Sequence, residues 1–70
     1  MTLEELKVKY QSLADTCDKK GDEYHDHAQD LTSNGLYEDA SRYYDKANFE
    51  YIMSATYLMI VIDLRRIENK

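Results

Sequence analysis

The stretch of this chain that is densest in side chains able to hold a metal runs from Asp22 to Asp30, with the sequence DEYHDHAQD. Its spacing would place four ligand-type side chains on one side of a helix: Glu23, Asp26, His27 and Asp30. Glu23 and His27 could bind a divalent cation together, and a dimer could bring four such ligands to one place. The second half of the chain has no matching Glu-x-x-His sequence. We therefore expect a solvated acidic helix with surface histidines, and neither a bound metal nor a cofactor.

Catalytic motifs are not apparent in the sequence. It has no glycine-rich phosphate loop, no Cys-x-x-Cys and no set of nucleophile, base and orienting group. Two packed helices also offer little concavity for a substrate, so we expect no enzymatic activity. His27 lies near the expected buried stripe, where the hydroxyl of Tyr43 or Tyr44 could accept or donate a hydrogen bond; a pH-sensitive role is the alternative.

Cys17 is the only cysteine, so no disulfide can form within one chain, and a reducing compartment fits best. Its place in an apolar stripe favours a buried small hydrophobic side chain, with a reactive thiol or an intermolecular disulfide as alternatives. The N-terminal residues MTLEEL lack the features of a secretion signal. The apolar run near the C-terminus is shorter than the ~20 residues of a membrane span. We therefore expect a soluble, cytoplasmic protein.

The net charge of the 70-residue chain is −5, and it is distributed unevenly. Between Asp15 and Glu50 there are ten acidic side chains and four basic ones. An acidic middle repels phosphate backbones, which disfavours direct binding of nucleic acid. The acidic half could serve solubility alone, or it could bind a basic protein. Its candidate partner surface consists of Asp22, Glu23, Asp26, Asp30, Glu38, Asp39 and Tyr43.

The sequence predicts two helices within a single domain, residues 1–70. The first helix, 2–34, begins at Thr2, which together with Glu5 has the pattern of a capping box. Gly21 could break this helix. We favour a continuous helix, straight or bent, because the heptad phase passes through Gly21 without a slip and one glycine costs only about 1 kcal/mol.

A tight turn over residues 34–36 separates the two helices, and Gly35 suits the left-handed conformation that follows many helices. The second helix, 37–68, has acidic residues near its start and arginines near its end, as the helix dipole favours. A short turn makes the helices antiparallel neighbours, so the numbers of facing residues should add up to about 70. The inner stripe of the first helix is predicted to be Leu3, Leu6, Tyr10, Leu13, Cys17, Tyr24, Ala28 and Leu31. That of the second helix is predicted to be Tyr37, Ala40, Tyr44, Ala47, Tyr51, Ala55, Leu58 and Ile62.

The second helix is apolar on two opposite faces, whereas only one other helix is available to cover them. One face must therefore bind a second copy of the chain or a different protein. We predict an all-α antiparallel hairpin that dimerises through the second helix into a four-helix bundle with coiled-coil packing. The predicted dimer interface consists of Phe49, Ile52, Met53, Tyr57, Met59, Ile60, Leu64 and Ile67.

About a third of the chain, from Tyr24 to Ala47, resembles one tetratricopeptide repeat. The large and small residues at the spacing of that repeat are Tyr24, Ala28, Leu31, Gly35, Tyr37, Ala40, Tyr44 and Ala47. The chain departs from the family at His27, where an aliphatic residue is usual, and at Ile52, which replaces the closing proline. It also lacks a second repeat, so the resemblance implies a tightly packed helix pair but not the family's peptide groove. Microtubule-interacting-and-transport domains share this local pattern but need a third helix, which this chain lacks unless Gly21 breaks the first helix.

In architecture the chain resembles the Rop-type dimeric helical hairpins. That family binds paired RNA through a basic and aromatic face, whereas the charge here is mostly acidic. A short acidic hairpin is also similar in format to the small early proteins of lambdoid phages, which implies binding to a host or phage regulator. Function is therefore expected to be protein binding by a homodimeric regulatory or adaptor protein. The alternative is a subunit or antidote whose apolar face pairs with a different chain, and a metal- or nucleic-acid-binding module is third.

Overall fold

The computed structural model describes residues 1–69, and these form two α-helices with no strand. Helix α1 spans Leu3–Ser33 and helix α2 spans Tyr37–Glu68. The helices lie antiparallel along their whole length, as predicted, and form a rod of 53 × 14 × 14 Å. The sequence-based expectation of an all-α antiparallel hairpin is therefore confirmed.

Local sequence signals set both ends of α1. At its start, the Thr2 hydroxyl accepts a hydrogen bond from the Glu5 backbone N–H at 3.1 Å. The same hydroxyl lies 3.2 Å from the Glu5 carboxylate, so the two residues interact through their side chains as well. The helix then continues through Gly21 without a break. A glycine inside a helix costs about 1 kcal/mol relative to alanine, and its packing role, described below, accounts for its presence.

The turn between the helices is a Schellman motif. Gly35 has a φ of 77°, the left-handed conformation that glycine adopts without strain. The Leu36 N–H donates to the Leu31 carbonyl at 2.9 Å, and the Gly35 N–H donates to the Thr32 carbonyl at 3.0 Å. These two bonds satisfy carbonyls that would otherwise be unpaired at the helix end. The turn therefore directs the chain straight into α2.

Small residues at heptad spacing form the contact line between the helices. In α1 these buried residues are Ala14, Gly21 and Ala28. In α2 they are Ala40, Ala47, Ser54 and Val61. A strict seven-residue repeat keeps one seam in contact by a slight left-handed supercoil. Among the described residues no large side chain is completely buried, so the hairpin core is thin.

The inner stripe of α2 differs in phase from the sequence prediction. Tyr37, expected to face inward, is 69% exposed, and Ala55 and Ile62 are also exposed. Ser54 and Val61 take their place on the contact line, although Ala40 and Ala47 lie there as expected. The physical reason is the close approach of the helices, which is possible only where the side chains are small.

A similar displacement occurs in α1, where Ala14 and Gly21 lie at the centre of the contact. The larger side chains that were expected there are half-buried beside it, and these are Leu6, Tyr10, Leu13, Cys17, Tyr24 and Leu31. Leu3 is exposed. Bulky side chains of both helices therefore lie along the two flanks of the hairpin instead of between the helix axes.

Candidate interaction surfaces

One flank of the hairpin, which we call the tyrosine flank, is lined by aromatic pairs between the helices. The Tyr10 and Tyr57 rings lie 6.0 Å apart, and the Tyr24 and Tyr43 rings lie 6.1 Å apart. The His27 ring meets the edge of the Tyr43 ring at 4.3 Å. In each pair the residue numbers add up to about 70, so these contacts confirm the predicted antiparallel register. Offset and edge-on arrangements are those that aromatic quadrupoles favour.

Lys46 adds a positive charge to this flank. Its ammonium group lies 4.7 Å from the centre of the Tyr43 ring and 5.8 Å from that of the Tyr24 ring. Cation–π contacts of this kind contribute about 0.5–1 kcal/mol at exposed sites. Tyr43, which sequence analysis placed on the candidate partner surface, is thus half-buried beneath Lys46 and beside His27.

Cys17 lies on the same flank and is half-buried. Partial burial raises the pKa of its thiol, and a hydrogen bond to the Glu50 carboxylate raises the pKa further. A raised thiol pKa lowers the fraction of thiolate, which is the nucleophilic form. The structure therefore favours the packing role of Cys17 over the reactive thiol.

The opposite flank is dominated by Tyr51. Its ring covers Gly21 so closely that a Cβ atom added to the glycine would lie 2.6 Å from Cε1 of the ring. The Tyr51 hydroxyl donates a hydrogen bond to Asp22 Oδ1 at 2.6 Å. This hydrogen bond, with smaller effects of burial and neighbouring carboxylates, raises the Tyr51 pKa to about 12. His25 packs edge-on against Tyr44 on this side, with ring centres 5.4 Å apart.

The outer face of α2, which points away from α1, is apolar and exposed. Four of the residues predicted for the dimer interface have more than half of their surface exposed: Phe49 (61%), Ile52 (65%), Met59 (57%) and Ile67 (56%). The other four are half-buried beside them, and these are Met53, Tyr57, Ile60 and Leu64. The predicted interface thus extends from the outer face of α2 onto the tyrosine flank.

The acidic residues of the candidate partner surface lie in the half of the rod that contains the turn. All six carboxylates are exposed, namely Asp22, Glu23, Asp26, Asp30, Glu38 and Asp39. Two of them are engaged within the hairpin, because Asp22 accepts the Tyr51 hydrogen bond and Asp39 lies 3.8 Å from Arg42. The remaining carboxylates are free to present negative charge to solvent or to a partner.

A shallow groove of about 390 Å³ lies near the turn on the tyrosine flank. It is lined by His27, Leu31, Asp39, Arg42, Tyr43 and Lys46. Arg42 and Lys46 were not among the residues predicted for the partner surface, although Arg42 lies one helical turn after Asp39 and Lys46 lies one helical turn after Tyr43. The lining mixes both signs of charge, so it does not define one class of ligand. Within residues 1–69, no group of three or more His, Cys, Asp or Glu side chains is placed to hold a metal ion.

Neither helix, over the part of the chain that is described, is long and apolar enough to cross a membrane.

Comparison of the chain with protein-family models, with curated proteins and with solved structures found no match. The chain is an all-α, two-helix antiparallel hairpin with extensive contact between its helices. The resemblances to tetratricopeptide repeats, Rop-type hairpins and phage early proteins have no support from these comparisons and stay predictions.

Proposed function

We propose that this chain is a non-enzymatic regulatory or adaptor protein that acts by binding other proteins as a homodimer of helical hairpins. The observation that carries the proposal is the exposed apolar outer face of α2, formed by Phe49, Ile52, Met59 and Ile67. Contiguous apolar surface of this kind is typical of protein interaction sites. In the proposed dimer, the outer faces of two α2 helices cover each other and the four helices form a bundle.

The thin core of the hairpin supports this arrangement. Complete burial of a large apolar side chain stabilises by about 1.5–3 kcal/mol, so covering one that is more than half exposed contributes about 1 kcal/mol. Four such side chains on each of two copies contribute about 8 kcal/mol, of which association removes at least about 4 kcal/mol. The remainder of about 4 kcal/mol corresponds to a dissociation constant of about 1 mM. A micromolar constant needs about 4 kcal/mol more, which further burial of Met53, Ile60 and Leu64 on both copies would have to contribute.

Dimerisation through α2 would leave the acidic turn half of each hairpin at an end of the bundle. We propose that this half binds a basic protein, of the kind that handles nucleic acid, such as a phage or host regulator. Charge complementarity of this type increases association rates, and salt screens it over about 10 Å at 0.1 M ionic strength. Capture of such a partner should therefore weaken as salt is raised.

The test is sedimentation equilibrium of the purified chain at micromolar concentration with reductant present. We expect a dimer, and we expect Ile52→Asp to raise its dissociation constant about tenfold or more, because the substitution replaces an apolar contact at the edge of the interface by a charge without a partner. Ile52 is largely exposed in the hairpin, so the variant should keep its helix content in circular dichroism. The matched control is Val8→Asp, which makes the same type of change at an exposed position of α1. A folded wild-type monomer would contradict the proposal.

The second candidate is a subunit or antidote of a hetero-complex. The apolar surface is wide enough to favour it, since it continues from the outer face of α2 onto half-buried residues of both helices. A single helix of another protein could lie in that position. A folded monomer that co-purifies with a different chain at one-to-one stoichiometry, and that loses this chain on Ile52→Asp, would support the hetero-complex over the homodimer.

A further inference from the structure

The outer face of α2 and its border with the tyrosine flank carry a second heptad pattern besides the line of small residues that contacts α1. One row at seven-residue spacing is Lys46, Met53, Ile60 and Ile67. The neighbouring row is Phe49, Thr56 and Asp63. Together these rows have the a and d spacing of a coiled-coil seam. The row beside them, which would border the seam, is Asp45, Ile52, Met59 and Arg66.

Between residues 45 and 67, the charges of these rows lie only at their ends. Asp45 and Lys46 are at one end, Asp63 and Arg66 are at the other, and the residues between them are apolar or threonine. All four charged residues are exposed. Arg66 and Asp63 form only a loose contact of 3.9 Å between largely exposed groups. The seam is therefore an apolar strip with acidic and basic residues at both ends.

Building on the proposed homodimer, we propose that two copies pair through α2 in one antiparallel register. In this register Met53 faces Thr56 of the partner subunit, and Ile60 faces Phe49 of the partner subunit. Lys46 then faces Asp63 of the partner subunit, and the bordering Asp45 lies beside Arg66 of the partner subunit. The twofold symmetry of the pair makes each of these contacts twice.

The placement of charge distinguishes this register from its neighbours. A shift by one heptad, which would place Phe49 opposite Ile67 of the partner subunit, would also place Asp63 against Met53 of the partner subunit and so bury a carboxylate without a partner. A parallel pair would place like charges together at both ends of the seam, since Lys46 would meet Lys46 of the partner subunit and Asp63 would meet Asp63 of the partner subunit. Like charges in such positions are destabilising, whereas opposite charges stabilise a pair and define its orientation.

A charge exchange tests the register. Asp45→Lys and Arg66→Glu should each raise the dimer dissociation constant about tenfold at low salt, because each places like charges together at two symmetric positions. The double variant Asp45→Lys/Arg66→Glu should return it to within about threefold of the wild type, because the opposite charges meet again. Asp15→Lys is the matched control, since it makes the same change of charge at an exposed position of α1 and should leave the constant unchanged within about threefold.

Cross-linking gives a second measurement that does not depend on the charged side chains. In a Cys17→Ser background, chains carrying Phe49→Cys are mixed with chains carrying Ile60→Cys and allowed to oxidise. A disulfide needs Cα atoms within about 7 Å, so the proposed register should give the mixed dimer readily. Chains carrying Phe49→Cys mixed with chains carrying Ile67→Cys report the shifted register and should cross-link poorly.

The outcomes separate the register from the proposed function. Rescue by the double variant, with preferential cross-linking of Phe49→Cys to Ile60→Cys, supports the register. A wild-type dimer without rescue, or with preferential cross-linking to Ile67→Cys, would overturn the register and leave the homodimer standing. A wild-type monomer would overturn both proposals. Circular dichroism of each variant shows whether a lost dimer reflects unfolding. If a charge variant unfolds, the cross-linking experiment decides between the proposed register and the shifted one.

Discussion

Replacing Gly21 by alanine should destabilise this hairpin, although the same change inside an exposed helix normally stabilises it by about 1 kcal/mol. The added Cβ would lie 2.6, 2.8 and 3.0 Å from three carbon atoms of the Tyr51 ring. Relief of these contacts requires the ring to move away from its place over the glycine and from its hydrogen bond to Asp22. Overpacking of this type costs about 1–3 kcal/mol. We therefore expect a net loss of about 1 kcal/mol in the free energy of unfolding.

A double-mutant cycle with Tyr51→Ala isolates the cause. Once the ring is removed, Gly21→Ala should stabilise the protein by about 1 kcal/mol, because only helix propensity remains. The free energy of unfolding is measured by urea titration followed by circular dichroism at one fixed protein concentration, since dimerisation would make stability concentration-dependent. If Gly21→Ala stabilised the wild-type chain as much as it stabilised the Tyr51→Ala variant, the close approach of Tyr51 to Gly21 would not be what limits this position.

Two further predictions concern titration and reactivity. The Tyr51 hydrogen bond to Asp22 raises the Tyr51 pKa to about 12, so its contribution to stability is fully present below the ordinary tyrosine pKa of about 10 and is lost as pH rises through about 12. In an absorbance titration at alkaline pH, the Tyr51 pKa should fall toward its ordinary value in Asp22→Ala, which removes both the hydrogen-bond acceptor and its charge, and an unchanged titration in that variant would contradict the assignment. Burial and the Glu50 hydrogen bond raise the Cys17 pKa, so its alkylation at pH 8 should be several-fold slower than that of a free cysteine. Reaction at or above the rate of free cysteine would instead favour the reactive thiol.

The candidate surfaces were only partly predictable from the sequence. Exposure of Phe49, Ile52 and Met59 agrees with an apolar stripe that α1 does not cover, which periodicity alone indicated. Periodicity did not predict the partial burial of Met53 and Ile60 within the hairpin. Whether such residues belong to the hairpin or to a second contact depends on the rotation of α2 about its axis, and one chain's periodicity leaves that rotation open.

The sequence by itself determined the helices, their ends and their antiparallel register. Each of these depends on short-range chemistry: the Thr2 cap, the positive φ of Gly35 and a turn too short for any other arrangement. Only the tertiary structure decided which line of α2 meets α1, namely Ala47, Ser54 and Val61. Apolar residues cover most of the circumference of α2, so its periodicity does not select one phase. The phase is selected by packing: the helix axes can approach closely only where both helices present small side chains, so α2 turns its line of small residues toward that of α1.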